Sequence, residues 1–203
     1  MSRPRFIARQ FAWPSGLLGR IVARLMNAGN AAMNAFAVKT LDVGATDRVL
    51  EIGFGGGVTL PSLIDSAAFV AGVDRSHDMV KRAKKQFAKA ISSKRADFYQ
   101  SNVETLPFTP ASFGRVCTVN TVYFWASLDA AFAEIHRVLA PDGRLVVGFL
   151  PKDRMDLMSL PTDIFRARTV EDIIAVLGRT GFRDIRVERP QPTTPWAVVV
   201  AMR

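Results

Sequence analysis

Between Arg48 and Asp74 the chain reads RVLEIGFGGGVTLPSLIDSAAFVAGVD. Two short apolar runs, RVLEIG and FVAGVD, flank a stretch with helical spacing, and three consecutive glycines stand between the first run and the helix. Pro61 fits that helix only in its first turn, where a missing N–H costs nothing. A strand, a helix and a second strand in this order form a crossover unit, which joins parallel strands because a tight hairpin cannot. This segment therefore commits the chain to an α/β sheet.

The alternation continues. SHDMVKRAKKQFAKAI predicts a helix capped by Ser76, ADFYQS a third strand, and NVETLPFTPASF a loop. RVCTVNTV predicts a fourth strand, SLDAAFAEIHRVL a helix, APDG a turn and RLVVGFL a fifth strand. A looser segment from Pro151 to Arg168 precedes the helix TVEDIIAVLGRTG. FRDIRVERP and WAVVVAMR are two last strands, too close together for a helical crossover. They must pair antiparallel or sit apart. The expected fold is a Rossmann-like, doubly wound α/β fold with a seven-stranded sheet, mostly parallel with a C-terminal antiparallel strand. Before it, GLLGRIVARLMNAGNAAMNAFAVKTLDV has helical spacing, broken at Gly29 and Asn30. We expect residues 1–44 to form a basic helical cap or lid and residues 45–203 a single globular unit.

At 203 residues the chain can bury one sizeable core. No apolar run approaches the ~20 residues of a membrane span, and no signal-peptide pattern opens the chain, so the expected location is cytoplasmic. The only cysteine, Cys117, lies in a predicted buried strand, which excludes an intrachain disulfide and a cysteine-rich zinc site. We expect no metal. Net charge is +9, and the first acidic residue is Asp42, after six basic ones. Such a segment suits peripheral contact with an anionic membrane, although a solvated basic face is the plainer reading.

In doubly wound sheets, ligands bind beyond the carboxyl ends of the strands, at the switch point. EIGFGGG stands there, and Asp74 ends the next strand about 20 residues on, where ribose hydroxyls need an acceptor. A nicotinamide loop would follow G-x-G-x-x-G. From Gly53 the third place is Val58, and from Gly55 it is Leu60. The spacing present is E-x-G-x-G-x-G, through Glu51, Gly53, Gly55 and Gly57. A glutamate before the first glycine repels a pyrophosphate but favours an amino group or a sulfonium. That points to S-adenosylmethionine.

The chain resembles class I S-adenosylmethionine (SAM)-dependent methyltransferases, and is similar to the ubiquinone/menaquinone methyltransferase branch. VLEIGFGGG, VAGVDRSHDMVKRA, NVETLPFTPASFGRV and EIHRVLAPDGRLVVGF carry the resemblance. It implies that Gly53, Gly55 and Gly57, with Phe54 beside them, admit the methionine part of SAM, and that Glu51 supports its amino end. Asp74, followed by Arg75, would hold the ribose. Met79 would pack on the adenine, with Asn102, Val103 and Glu104 at its edge. Many relatives carry Asp in place of Asn102. Asn120 would lie near the sulfonium.

Methyl transfer is an in-line displacement driven by positioning and desolvation, so no catalytic triad is required. NTVYFW is the expected acceptor wall. Its Asn-x-x-Tyr spacing resembles the N-P-P-Y motif of amino-group methyltransferases without the prolines. Asn120 and Tyr123 are the candidate catalytic residues. Trp125 joins Tyr123 in the wall, and Phe11 and Trp13 form a candidate lid. The Met155–Met158 stretch is a candidate for the opposite side. His136 is expected to be structural. The expected acceptor is a small or lipid-like molecule, an amine or phospholipid head group being one concrete form. Alternatives are a nucleic-acid methyltransferase, disfavoured because no RNA-binding module is appended, or a SAM-binding protein without methyltransferase activity. A nicotinamide oxidoreductase is disfavoured because neither tyrosine has a lysine four places on.

Overall fold

The computed structural model describes residues 30–158 and 160–203. Of the expected N-terminal cap, only its last part is described, and the lid candidates Phe11 and Trp13 lie outside the described residues. Seven strands form one sheet: β1 (Arg48–Ile52), β2 (Phe69–Asp74), β3 (Ala96–Gln100), β4 (Phe113–Val119), β5 (Leu139–Phe149), β6 (Arg183–Glu188) and β7 (Ala197–Met202). Their order is β3-β2-β1-β4-β5-β7-β6. The five strands from β3 across to β5 are parallel neighbours, and β7 runs antiparallel between β5 and β6. The two last strands thus pair antiparallel, as their short connection requires. Strand order reverses between β1 and β4, which is the switch point where such sheets open a crevice.

Near-continuous apolar strands mean burial on both faces, and the period of two divides each strand between two cores. Leu50 and Ile52 of β1, Val116 of β4 and Leu145 and Val147 of β5 face one core. It is covered by α5 (Leu128–Val138) and α7 (Val170–Arg179), whose Phe132, Ile135, Ile173 and Leu177 are fully buried. Val49, Cys117 and Val146 face the other core, covered by α1 (Ala31–Leu41), α2 (Leu60–Ser66) and α3 (His77–Gln86). Cys117 is a buried packing residue, and burial pushes its thiol up, away from nucleophilic use.

Local chemistry sets the helix starts. The Ser76 hydroxyl accepts from the Met79 N–H at 3.4 Å. Ser127 does the same for Ala130 at 3.2 Å. Thr169 and Asp172 form a reciprocal capping box, both bonds at 3.0 Å.

Three local expectations change. The helix predicted from Ser76 to Ile91 is interrupted at Phe87, whose ring turns inward to within 5.6 Å of Phe98, and α4 (Ala88–Ser92) follows. APDG is a bulge inside β5 rather than a turn before it. β5 advances from Leu139 to Arg144 while β4 advances only from Phe113 to Arg115, and Asp142 absorbs the excess at φ 57°. β4 ends at Val119 rather than Val122, because Asn120 turns left-handed at φ 59°. Asparagine tolerates that conformation better than most residues.

The stretch after β5 holds α6 (Lys152–Met155) and a 3-10 turn, Asp156–Met158. Among the described residues no helix is long and apolar enough to cross a membrane.

Candidate functional site

A cavity opens at the β1/β4 switch point. Glu51 and Ile52 of β1, the loop Gly53–Gly56, and Val58 and Thr59 form its floor. Val73, Asp74 and Arg75 close one flank from the end of β2, with Ser101, Asn102 and Val103 beyond β3. Val119, Asn120, Thr121, Phe124 and Trp125 close the other, after β4. Asn30 and Asn34 of the α1 start complete the wall.

The glycine loop is built by positive φ. Gly53, Gly55 and Gly57 stand at φ 72°, 49° and 70°, where side chains are strained. At Gly53 there is no space either: an added Cβ would meet the Thr121 methyl at 2.3 Å. The Gly53 N–H donates to the Val73 carbonyl at 2.7 Å, tying the loop to β2.

Asp74 holds the loop in a second way. One of its carboxylate oxygens accepts from the Gly55 N–H and the other from the Ser76 N–H, each at 2.8 Å. Burial raises its pKa, and these two backbone donors oppose the rise. A carboxylate offers about four acceptor positions, so both oxygens retain capacity toward the cavity.

Glu51 is the more unusual group. It is buried, and one of its oxygens accepts from the Thr59 hydroxyl. The other, Oε2, is buried without a hydrogen-bond partner. Burial pushes the carboxyl up to about 7, the Thr59 hydroxyl lowers it, and the Asp74 charge raises it further. A buried acceptor on a cavity wall with nothing to accept from is costly unless a ligand supplies a donor. A cationic donor fits best, because it would also restore the ionised form.

On the β4 side, the Tyr123 hydroxyl donates to Asn120 Oδ1 at 3.0 Å and accepts from the Leu150 N–H. Thr118 donates to the Ile52 carbonyl at 2.9 Å, and its hydroxyl also bonds that of Thr121. Arg75 reaches across the cavity, with its guanidinium 5.9 Å from the Phe124 ring and 3.4 Å from the Phe124 carbonyl.

The cavity wall thus brings together Glu51, Gly53, Phe54, Gly55, Asp74, Arg75, Asn102, Val103, Asn120 and Trp125 from the sequence expectations. Five expected residues stand elsewhere. Gly57 is buried under Leu60, and Gly56 takes its place in the wall. Met79 is only 2% exposed, within the apolar cluster of Phe54 and Phe98. Glu104 accepts from Asn102 Nδ2 at 3.2 Å and from the Ser127 N–H at 2.9 Å, linking the β3 loop to the start of α5. Tyr123 is buried behind Asn120. Met155 lies in the main core. The segment after β5 instead braces the wall from outside: Phe165 packs 5.1 Å from Phe124, and Arg166 donates to the Ala126 carbonyl at 2.8 Å. His136 meets Phe182 edge-on at 5.1 Å and is not part of the cavity wall.

Asn30, Asn34, Thr59 and Thr121 were not among the sequence candidates. Asn30 carries a helix-breaking signal, and nothing in the spacing ties Asn34 or Thr59 to the loop. Thr121 lies inside NTVYFW but has no motif role there.

Residues 50–147 match a family described as methyltransferase domain. The uncharacterized methyltransferase YdaC of Bacillus subtilis is 26% identical over 170 residues, covering 83% of this chain and 89% of that protein. The ubiquinone/menaquinone biosynthesis C-methyltransferase UbiE of Geotalea daltonii is 26% identical over 115 residues, covering 55% of this chain and 49% of its own. Among solved structures, a phosphoethanolamine N-methyltransferase 2 of Haemonchus contortus in complex with S-adenosyl-L-methionine superposes with a TM-score of 0.71 at 19% identity. That match covers 85% of this chain and 52% of the other.

Proposed function

Because the chain belongs to the class I SAM-dependent methyltransferases, we propose that its switch-point cavity seats SAM along β1 and β2 and a small or lipid-like acceptor against α1 and the segment after β4. The observation that carries this reading is Glu51 Oε2, a buried acceptor without a partner on the wall of a glycine cradle. The residues present fit the cofactor. Glu51 matches its ammonium, the amides and open surface of Gly53 to Gly56 admit its methionine part, and the spare capacity of Asp74 suits ribose hydroxyls. Asn102 and Val103 border the adenine end, with Arg75 over Phe124 between the two ends. Met79 supports this end from within the core rather than touching the base.

When bound, SAM supplies a sulfonium methyl group open to in-line attack. The chain's own residues position the partners and exclude water. Phe124 and Trp125 form an apolar wall, and Asn120 projects from a left-handed backbone at the tip of β4. His77 stands outside the wall, exposed and bonded to Gln100, so neither histidine serves as a base there. Catalysis then rests on alignment and desolvation, mechanisms that supply large rate factors without proton transfer. The Haemonchus enzyme is named for phosphoethanolamine, but likeness at 19% identity carries the fold and no acceptor.

Calorimetric titration with SAM, S-adenosylhomocysteine and NADPH tests the reading. The first two should bind and NADPH should not. Tight NADPH binding, or no binding of SAM, would overturn it.

A further inference from the structure

The hydrogen-bond network behind Asn120 fixes which end of its amide enters the cavity. A phenol carries one hydrogen and otherwise accepts. The Leu150 N–H already donates to the Tyr123 oxygen, so the phenol hydrogen is left for Asn120, 3.0 Å away. It can only be received by Oδ1. Burial pushes the Tyr123 pKa up, which keeps that hydrogen in place. The rest of the wall is held as firmly: the Arg166 N–H donates to the Tyr123 carbonyl at 3.0 Å. Tyr123 thus holds Oδ1 through one of its lone pairs, and the Nδ2 hydrogens are the end of the Asn120 amide turned away from the phenol.

The neighbouring hydroxyl does not reverse this polarity. Thr118 spends its hydrogen on the Ile52 carbonyl, so the Thr118–Thr121 bond must use the Thr121 hydrogen. Thr121 Oγ1 is thereby turned toward Thr118, and its methyl faces Gly53. The two carboxylates of the cavity, Glu51 and Asp74, stand on the β1 and β2 side.

A donor beside the attacking atom discriminates between nucleophiles. A neutral amine has one lone pair, and a donor that binds it blocks attack; its N–H groups need acceptors instead. An oxygen has further lone pairs, so it can accept from an amide and still attack. An oxygen that arrives ionised also needs no base. Resting on the methyltransferase reading above, we infer that the acceptor is an oxygen nucleophile, a carboxylate or acidic hydroxyl, held by the Asn120 amide hydrogens. The step balances without proton transfer. The acceptor oxygen forms the new bond to the methyl carbon, the carbon–sulfur bond breaks, and its electron pair stays on sulfur as the neutral thioether. The amine acceptor considered from the sequence alone is the poorer fit.

The test uses the full chain loaded with S-adenosylhomocysteine and labelled with nitrogen-15. The Asn120 side-chain amide resonance is assigned by its loss in Asn120→Asp. Matched fragments, benzoate against benzylamine and hexanoate against hexylamine, are titrated in. The carboxylates should move the Asn120 resonance and the amines should not. Asn120→Asp, which keeps the left-handed tolerance but replaces the donor with an acceptor, should shift the carboxylate-to-amine affinity ratio by at least about tenfold toward amines. Asn120→Gly, which keeps the backbone and removes the amide, should erase the preference. Amines moving the resonance, silence from both series, or an unchanged ratio in Asn120→Asp would overturn the inference while leaving cofactor binding intact. Failure of S-adenosylhomocysteine to bind would instead overturn the methyltransferase reading.

Discussion

Replacing Glu51 with glutamine isolates the contribution of one buried carboxyl. Burial lifts its pKa from 4.5 to about 7. Only the ionised form pairs with an ammonium, so the affinity for S-adenosylhomocysteine should follow the ionised fraction. That fraction is about one half at pH 7 and about 1% at pH 5. Affinity should therefore fall about 50-fold over that interval, close to 2 kcal/mol. The protein without ligand should respond with the opposite sign. Its folded state holds a proton that the unfolded chain releases above about 4.5, so stability is highest at low pH and declines as pH rises toward 7. The full decline is about 3 kcal/mol from this group. In Glu51→Gln both slopes should flatten: weak binding at every pH, and a melting temperature less sensitive to pH. Calorimetric titration across the interval and thermal melts of both proteins read the two effects. An affinity in the wild-type chain that does not change with pH, or an equal slope in Glu51→Gln, would refute the assignment of Glu51 to the ammonium.

Other expected outcomes are simpler to state. Gly53→Ala places a methyl 2.3 Å from the Thr121 side chain at φ 72°; it should cost about 1–3 kcal/mol of stability by denaturant titration and abolish SAM binding, with Thr121→Ser restoring part of both. Asp74→Ala removes the acceptor for the Gly55 and Ser76 amides, and should lower SAM affinity at least about 100-fold by calorimetry. Phe132→Ala empties a fully buried site beside Trp125 and Phe182; a loss of about 3–5 kcal/mol is expected, read by chemical denaturation.

The half of the cavity proposed for the cofactor is legible in the sequence because it is local. Glu51, the glycines and Asp74 fall within one crossover unit, and their spacing is set by the length of a strand, a loop and a helix. The strand order and the antiparallel β7 follow from connection lengths in the same way. The half proposed for the acceptor is not local. Asn34 reaches the cavity only because α1 packs across β4 and β5. The orientation of Asn120 depends on the Leu150 N–H, thirty places along the chain, and no spacing rule connects them. Tyr123 and Met79 illustrate a different difficulty. Each has the right residue type at the right offset, but a few degrees of helical turn decide whether a side chain enters the cavity or the core behind it. The bulge at Asp142 was hidden because a left-handed residue bends a strand as readily as it begins a turn.

The sheet sorts the cavity wall by strand. Groups suited to the methyl donor stand at the ends of β1, β2 and β3, and groups suited to the acceptor stand on α1 and after β4. Asn30 and Asn34 stand at the start of α1, outside the crossover unit that carries the glycine loop. A chain arranged this way can be retargeted piecemeal. On the proposed division, a saturation library at those two positions should explore new acceptors with donor binding retained, which the same binding assay reads. Diversity spread over the Glu51–Gly57 loop would silence the majority before any acceptor is tried.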